Sequence, residues 1–193
     1  MNRRSFLKGL LFISSIFTLK LKASRKNNDS FNYGVASGDP TNTNIILWTK
    51  VSPTFNKNVT IKWQLSADKN FKNIINSGNV LAKCSNDFTA KVDVNVPNPF
   101  RGNKVFYRFF FNDSFSDTGI TNTLPQNDPD KYNIAFCSCS NHPAGYFNPY
   151  REMAKNDDID LVLHLGDYIY EYDKDGYATE DSKRFNRGSR TKT

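Results

Sequence analysis

Histidine is nearly missing from this chain: His142 and His164 are the only two among 193 residues. A site needing three or more histidines cannot be built from these residues. Cysteine is scarce as well, with Cys84, Cys137 and Cys139. Three thiols permit one disulfide at most. Cys137 and Cys139 are separated by a single residue, and a bridge there is strained. Cys84 could pair with either, and nothing in the sequence supports it. Acids are absent from the first 23 residues, which hold Arg3, Arg4, Lys8, Lys20 and Lys22 and so supply five of the net +7. The excess of positive charge is largely a property of the leader. It does not point to nucleic acid as a specific partner. Aromatics, by contrast, are plentiful, with 16 Phe and 9 Tyr. That much apolar bulk predicts a packed core rather than a disordered chain.

The leader has its own pattern. An arginine pair, Arg3-Arg4, precedes Phe6-Leu7-Lys8, an apolar run follows from Gly9 to Leu19, and small residues appear at Ala23-Ser24. The run is too short to span a bilayer comfortably. The layout predicts a signal peptide over residues 1–24, with no stable membrane span once it is cleaved. The arginine pair resembles the twin-arginine (Tat) signal, which implies the Tat export machinery as a partner and a periplasmic or extracellular destination in a bacterium. An ordinary basic leader or an uncleaved anchor is the alternative. Leu21 sits where a small residue is usual for cleavage.

Residues 30–125 read as all-β. Ile61, Trp63 and Leu65 alternate with Lys62 and Gln64, and Val92, Val94 and Val96 alternate with Asp93 and Asn95. Runs at 45–49 and 105–111 read as two further strands. Period-two alternation marks strands buried on one face. Turn residues separate them at Gly38-Asp39-Pro40, Ser52-Pro53, Pro97-Asn98-Pro99 and Arg101-Gly102-Asn103. Short strands with such turns predict a small β-sandwich of the immunoglobulin or fibronectin-III kind. Nothing in this stretch carries chemistry, and it reads as a structural or docking module.

The pattern changes at a Pro-containing polar linker around Pro125 and Pro129. Tyr132–Phe136 reads as a short strand. A helix is expected with Asn148 as its N-cap, Pro149 in its first turn, and Tyr150, Met153 and Ala154 on one face. Asp160–Leu165 is nearly continuously apolar, as a parallel strand covered on both faces requires. The order is β-α-β, the opening of an α/β layer at 131–193 and the second part of an α+β multidomain protein.

Candidate chemistry lies where these strands end, which is where open α/β sheets bind ligands. The first strand runs into Cys137-Ser138-Cys139-Ser140-Asn141, the second into Gly166-Asp167-Tyr168-Ile169-Tyr170-Glu171. Parallel neighbours lie about 4.8 Å apart, so the thiolate of Cys139 and the carboxylate of Asp167 could share a cation. The phenol of Tyr170 could join from the following loop. Three anionic donors suit an oxidised, highly charged cation such as Fe³⁺ better than Zn²⁺. Each has a plainer reading: Asp167 as a loop carboxylate, Tyr170 as packing, Cys139 as a small core residue. Cys84 and Cys137 read as core residues, His164 as a satisfied buried histidine, and His142 as a neighbour of the site rather than a ligand.

Four segments together resemble the alkaline phosphatase D (PhoD-like) family. They are the arginine-pair leader; Tyr33-Gly34-Val35-Ala36-Ser37-Gly38-Asp39-Pro40 with Ile46-Leu47-Trp48-Thr49; Phe136-Cys137-Ser138-Cys139; and His164-Leu165-Gly166-Asp167-Tyr168-Ile169-Tyr170-Glu171. The resemblance implies a sandwich domain followed by the start of a calcineurin-like metallophosphatase domain. It implies a ferric ion and calcium ions as cofactors, with phosphate mono- and diesters as substrates. By matching motif, Cys139, Asp167 and Tyr170 would be iron ligands, and Asp167 would also face the calcium side. A cation there would bind phosphate oxygens and activate a water, so no residue of the chain need act as nucleophile.

The departure from the family lies after Glu171, where Asp-Asp-His and Gly-Asp-His segments are expected and a polar tail with Arg184, Arg187 and Arg190 stands instead. The expectation is a half-site, with little or no phosphatase activity from these 193 residues alone. An exported β-sandwich binding module and a non-functional truncated product are the alternatives.

Overall fold

The computed structural model describes residues 30–142, 146–170, 172 and 176. The expectations for Arg3, Arg4, the rest of the leader, Glu171 and the Arg-rich tail concern positions outside the described residues. The chain divides into two compact units, the first ending at Gln126 and the second beginning at Asn127.

In the first unit the alternating segments become antiparallel strands. They are β1 (Val35–Gly38), β2 (Asn44–Lys50), β3 (Val59–Ser66), β4 (Ile74–Ala82), β5 (Thr89–Asn95), β6 (Val105–Phe111), β7 (Ser114–Phe115) and β8 (Gly119–Thr121). One sheet has the order β1-β2-β5. The other runs β4-β3-β6, with β7 and β8 both paired to β6. Ile45 and Leu47 of β2, Val94 of β5, Ile61, Trp63 and Leu65 of β3, and Val105, Tyr107 and Phe109 of β6 form one buried cluster. Two sheets thus share a single core, as the alternation predicts. Val92 is only half-buried and packs against the edge of that core. Burying each such aliphatic or aromatic side chain is worth roughly 1.5–3 kcal/mol relative to leaving it exposed.

Strand β4 is not readable from alternation, because Asn76, Ser77, Gly78 and Asn79 interrupt it. Its pairing explains it. Gly78 stands opposite Trp63, and a Cβ there would come within 2.8 Å of the indole. The glycine is the space the tryptophan fills. Gly119 of β8 does the same for Tyr107, its cross-strand partner. A Cβ on Gly119 would lie 2.1 Å from the phenol ring.

The second unit holds β9 (Ile134–Cys137), the helix α1 (Asn148–Lys155) and β10 (Leu161–His164). The strands are parallel, in a register that sets Ile134 beside Leu161 and Cys137 beside His164. At their entrance Asp160 accepts the backbone N–H of Asn133 at 2.8 Å, and the Asn133 amide donates to the Asp158 carbonyl at 2.9 Å. One expectation needs correction. The N-cap of α1 is Phe147, in the left-handed conformation (φ 49°), and Asn148 is the first helical residue. The strands are not covered on both faces, as expected of a single β-α-β unit: Phe136, Val162 and Leu165 are exposed. One short helix with no fully buried residue is too little to cover them, and Ala154 of its expected packing face is exposed too. No helix among the described residues is long and apolar enough to cross a membrane.

Candidate metal centre

The segments that leave β9 and β10 stay paired beyond the strands. The N–H of Leu165 donates to the Cys137 carbonyl at 2.8 Å, that of Cys139 to Gly166 at 3.3 Å, and that of Ser140 to Asp167 at 3.2 Å. The N–H of Tyr170 returns to the Ser140 carbonyl at 2.7 Å, and that of His142 to Tyr170 at 3.1 Å. Backbone bonds therefore lay the two loops side by side.

Two turns aim the side chains. Cys139 has φ 58° and Asp167 φ 45°, both left-handed and both on residues with a Cβ. Such backbone costs on the order of 1 kcal/mol or more per residue and persists where its surroundings over-determine it. Gly166, at φ 111°, enters a conformation that glycine adopts without that penalty.

The three residues singled out in the sequence come together here. The Tyr170 hydroxyl donates to Oδ2 of Asp167 at 2.6 Å. The Cys139 sulfur lies 3.7 Å from the same oxygen and 4.0 Å from the Tyr170 oxygen. All three face solvent or are half-exposed. The Tyr170 phenol is held well above its usual pKa, first by its hydrogen bond to Asp167, then by desolvation and by the contact with Cys139. Thiol, carboxylate and phenol thus gather around one point. Oδ2 of Asp167 lies within 3.7 Å of both other donor atoms, and carboxylate and phenolate oxygens are donors that could serve a hard, highly charged cation. Among the described residues no group of three His, Cys, Asp or Glu gathers anywhere; this cluster holds two such residues, and its third member is the phenol of Tyr170.

The remaining residues fall as follows. Cys84 is exposed, not a core residue, and Cys137 is intermediate; all three cysteines are free thiols. The surface position of Cys84 follows from its place in a one-turn helical segment between β4 and β5, with no buried residue. His142 lies at the end of the paired loop, its ring tilted against that of Phe147 with centroids 5.8 Å apart. His164 is half-buried; its Nε2 bonds the Tyr150 hydroxyl at 3.0 Å, and its Nδ1 is buried with no partner among the described residues. Sequence reading did not single out Ser140 or treat Tyr150 as more than packing. Ser140 is buried, and its hydroxyl hydrogen-bonds that of Tyr150. The available signal was a tyrosine on the inward face of a helix, whose hydroxyl requires a partner.

Comparison with known proteins covers nearly all of this chain. The family model for the PhoD-like phosphatase N-terminal domain matches residues 18–125, and that for PhoD-like phosphatase matches residues 134–192. Alkaline phosphatase D of Bacillus subtilis (strain 168) is 35% identical over 184 residues, a match covering 89% of this chain and 31% of the relative. The chain thus spans about a third of that relative's length. A solved structure of PhoD superposes with a TM-score of 0.66 at 36% identity, covering 75% of this chain and 29% of the other.

Proposed function

The chain belongs to the PhoD-like phosphatase family, and from that premise we propose that its second unit supplies part of the metal centre of an exported phosphomonoesterase or phosphodiesterase. The observation that carries this reading is the meeting of Cys139, Asp167 and Tyr170, with Oδ2 of Asp167 at 2.6 and 3.7 Å from the other two donors. Three anionic donors favour Fe³⁺ at this point, and Asp167 has a second carboxylate oxygen for a neighbouring calcium ion. A ferric ion held there would neutralise phosphate charge and lower the pKa of a bound water.

The residues of this chain do the holding. Cys139 and Asp167 are aimed by their left-handed turns, and Tyr170 follows from the loop paired to Ser140. The Tyr170 proton, now shared with Asp167, is what a cation would displace, so loading releases protons. None of these groups is set up as a nucleophile beside a general base.

The first unit supports a fibronectin-III-like variant of the immunoglobulin sandwich. Its fourth strand joins the sheet of the third and sixth, not that of the second and fifth. The β-α-β order with ligands at the strand ends supports a calcineurin-like metallophosphatase layer for the second unit. Export through the Tat route rests on Arg3-Arg4 and the apolar run after them. Sequencing the N-terminus of secreted protein tests that, and an intact Met1 counts against cleavage.

The direct test of the centre is titration of the 193-residue protein with ferric citrate. A phenolate bound to Fe³⁺ absorbs in the visible through charge transfer. The band is expected in the wild type and lost in Tyr170→Phe. A wild type that stays colourless at saturating iron overturns the reading.

A further inference from the structure

One hydroxyl touches both ligand-bearing segments. Tyr150 is the third residue of α1, and its N–H donates to the Phe147 carbonyl at 3.1 Å, fixing it to the first turn. Its side-chain hydroxyl hydrogen-bonds Ser140 Oγ on one side and lies 3.0 Å from His164 Nε2 on the other. Ser140 directly follows Cys139. His164 is the last residue of β10, three residues ahead of Asp167. With a single proton, the hydroxyl donates to one neighbour and accepts from the other. The rings reinforce the contact: Tyr150 stacks on His164 at 6.3 Å, and the His164 ring meets Tyr168 edge-on at 4.9 Å.

Neither contact is incidental. Ser140 is 8% exposed, so its hydroxyl needs a protein partner, and Tyr150 provides it. The Ser140 backbone meanwhile bonds both Asp167 and Tyr170. For His164, the other ring nitrogen has no partner among the described residues. The bond from Tyr150 is therefore the side-chain bond that orients this imidazole among those residues.

We propose that Tyr150 is a positioning residue of the metal centre, whose hydroxyl bridges Ser140 and His164 and so holds Cys139 and Asp167 at one point. This role rests on the reading of Cys139, Asp167 and Tyr170 as metal donors. Tyr150 is not one of the three proposed donors; its hydroxyl contacts Ser140 and His164, and it acts through the loops it ties. Partners that orient metal ligands from outside the coordination sphere typically change metal affinity by 10–100-fold when removed.

The test is Tyr150→Phe, which keeps the ring and deletes the bridge. Ferric citrate titration of the full 193-residue chain, followed by the phenolate-to-iron band, is expected to show affinity lower by about 10–100-fold. Ser140→Ala should act in the same direction. The double variant should lose little more than the worse single one, because both changes break one bridge. In the metal-free protein, amide hydrogen exchange at Cys139, Ser140 and Tyr170 should quicken in Tyr150→Phe, while β3 is unchanged. Wild-type affinity in Tyr150→Phe overturns the proposal. So does unchanged exchange at those three amides. Faster exchange in a chain whose wild type shows no band overturns the metal reading instead and leaves the bridge purely structural. If Tyr150→Phe also loses protection at Leu165, whose N–H pairs the strands, the second unit has opened. Ser140→Ala, which keeps the contact between Tyr150 and His164, then carries the test with the same expected and overturning results.

Discussion

The hydroxyl of Tyr170 sits 2.6 Å from Oδ2 of Asp167, three residues upstream. A neutral phenol and a carboxylate share that proton, and the carboxylate raises the phenol's pKa. A cation at the same place reverses the preference by favouring both anions.

Ferric loading should therefore release protons, and weakly buffered solutions should acidify as the visible band grows. Tyr170→Phe should abolish the band; Asp167→Asn should weaken binding and leave any residual band intact. Proton release measured by pH-stat alongside absorbance checks both.

The 193-residue protein, incubated with iron and calcium, should hydrolyse bis-p-nitrophenyl phosphate no faster than its Asp167→Asn variant. The three gathered donors could serve one cation, and no second cluster of such groups lies among the described residues. Turnover that depends on Asp167 would show that this chain suffices.

Tyr107 is buried with its hydroxyl bonded to Ser37, and burial pushes its pKa up. Lys50 is also raised, chiefly by its hydrogen bond to Asp87. Both shifts have the same consequence. Stability from a raised folded-state pKa is complete below the unfolded value and is lost as pH climbs through the folded one. For Tyr107 the ordinary value is 10.0, so the first unit should weaken above that pH and hold steady just below it. Urea midpoints from pH 8 to 11 should show the fall, and Tyr107→Phe should flatten it while costing about 1 kcal/mol at neutral pH.

Gly119→Ala should destabilise the first unit by about 1–3 kcal/mol, the usual cost of overpacking, because the new methyl would sit 2.1 Å from the buried Tyr107 ring. Gly78→Ala should cost less, since its nearest atom is 2.8 Å away, on the Trp63 indole. Chemical denaturation of both variants gives the ranking.

Much of this fold is legible in the residues. Strands β2, β3, β5 and β6 follow from alternation because one face of each meets a core and the other meets water. β4 does not, since its shape is dictated by Trp63 across the ladder and not by its own pattern. The cap of α1 is misread for a related reason: Asn148 is a good N-cap by chemistry, yet Phe147 takes the left-handed turn and its carbonyl accepts from Tyr150 and Arg151. At the site, residue types and their places after two strands bring Cys139, Asp167 and Tyr170 to notice. The bridge through Tyr150 is invisible in sequence, because nothing about a tyrosine on a helix face says which two hydroxyl partners it will find.

The parallel register of β9 and β10, with Cys137 beside His164, works as a vernier for the centre. The proposed donors follow the strands at fixed offsets, Cys139 two residues past Cys137 and Asp167 three past His164. Deleting or inserting one residue within either strand would slide one set against the other by about 3.3 Å and turn its side chains to the opposite face. Length variation among functional versions of this unit should spare the interval between the strands and their ligands, and a one-residue deletion there should destroy ferric binding while the sandwich folds as before.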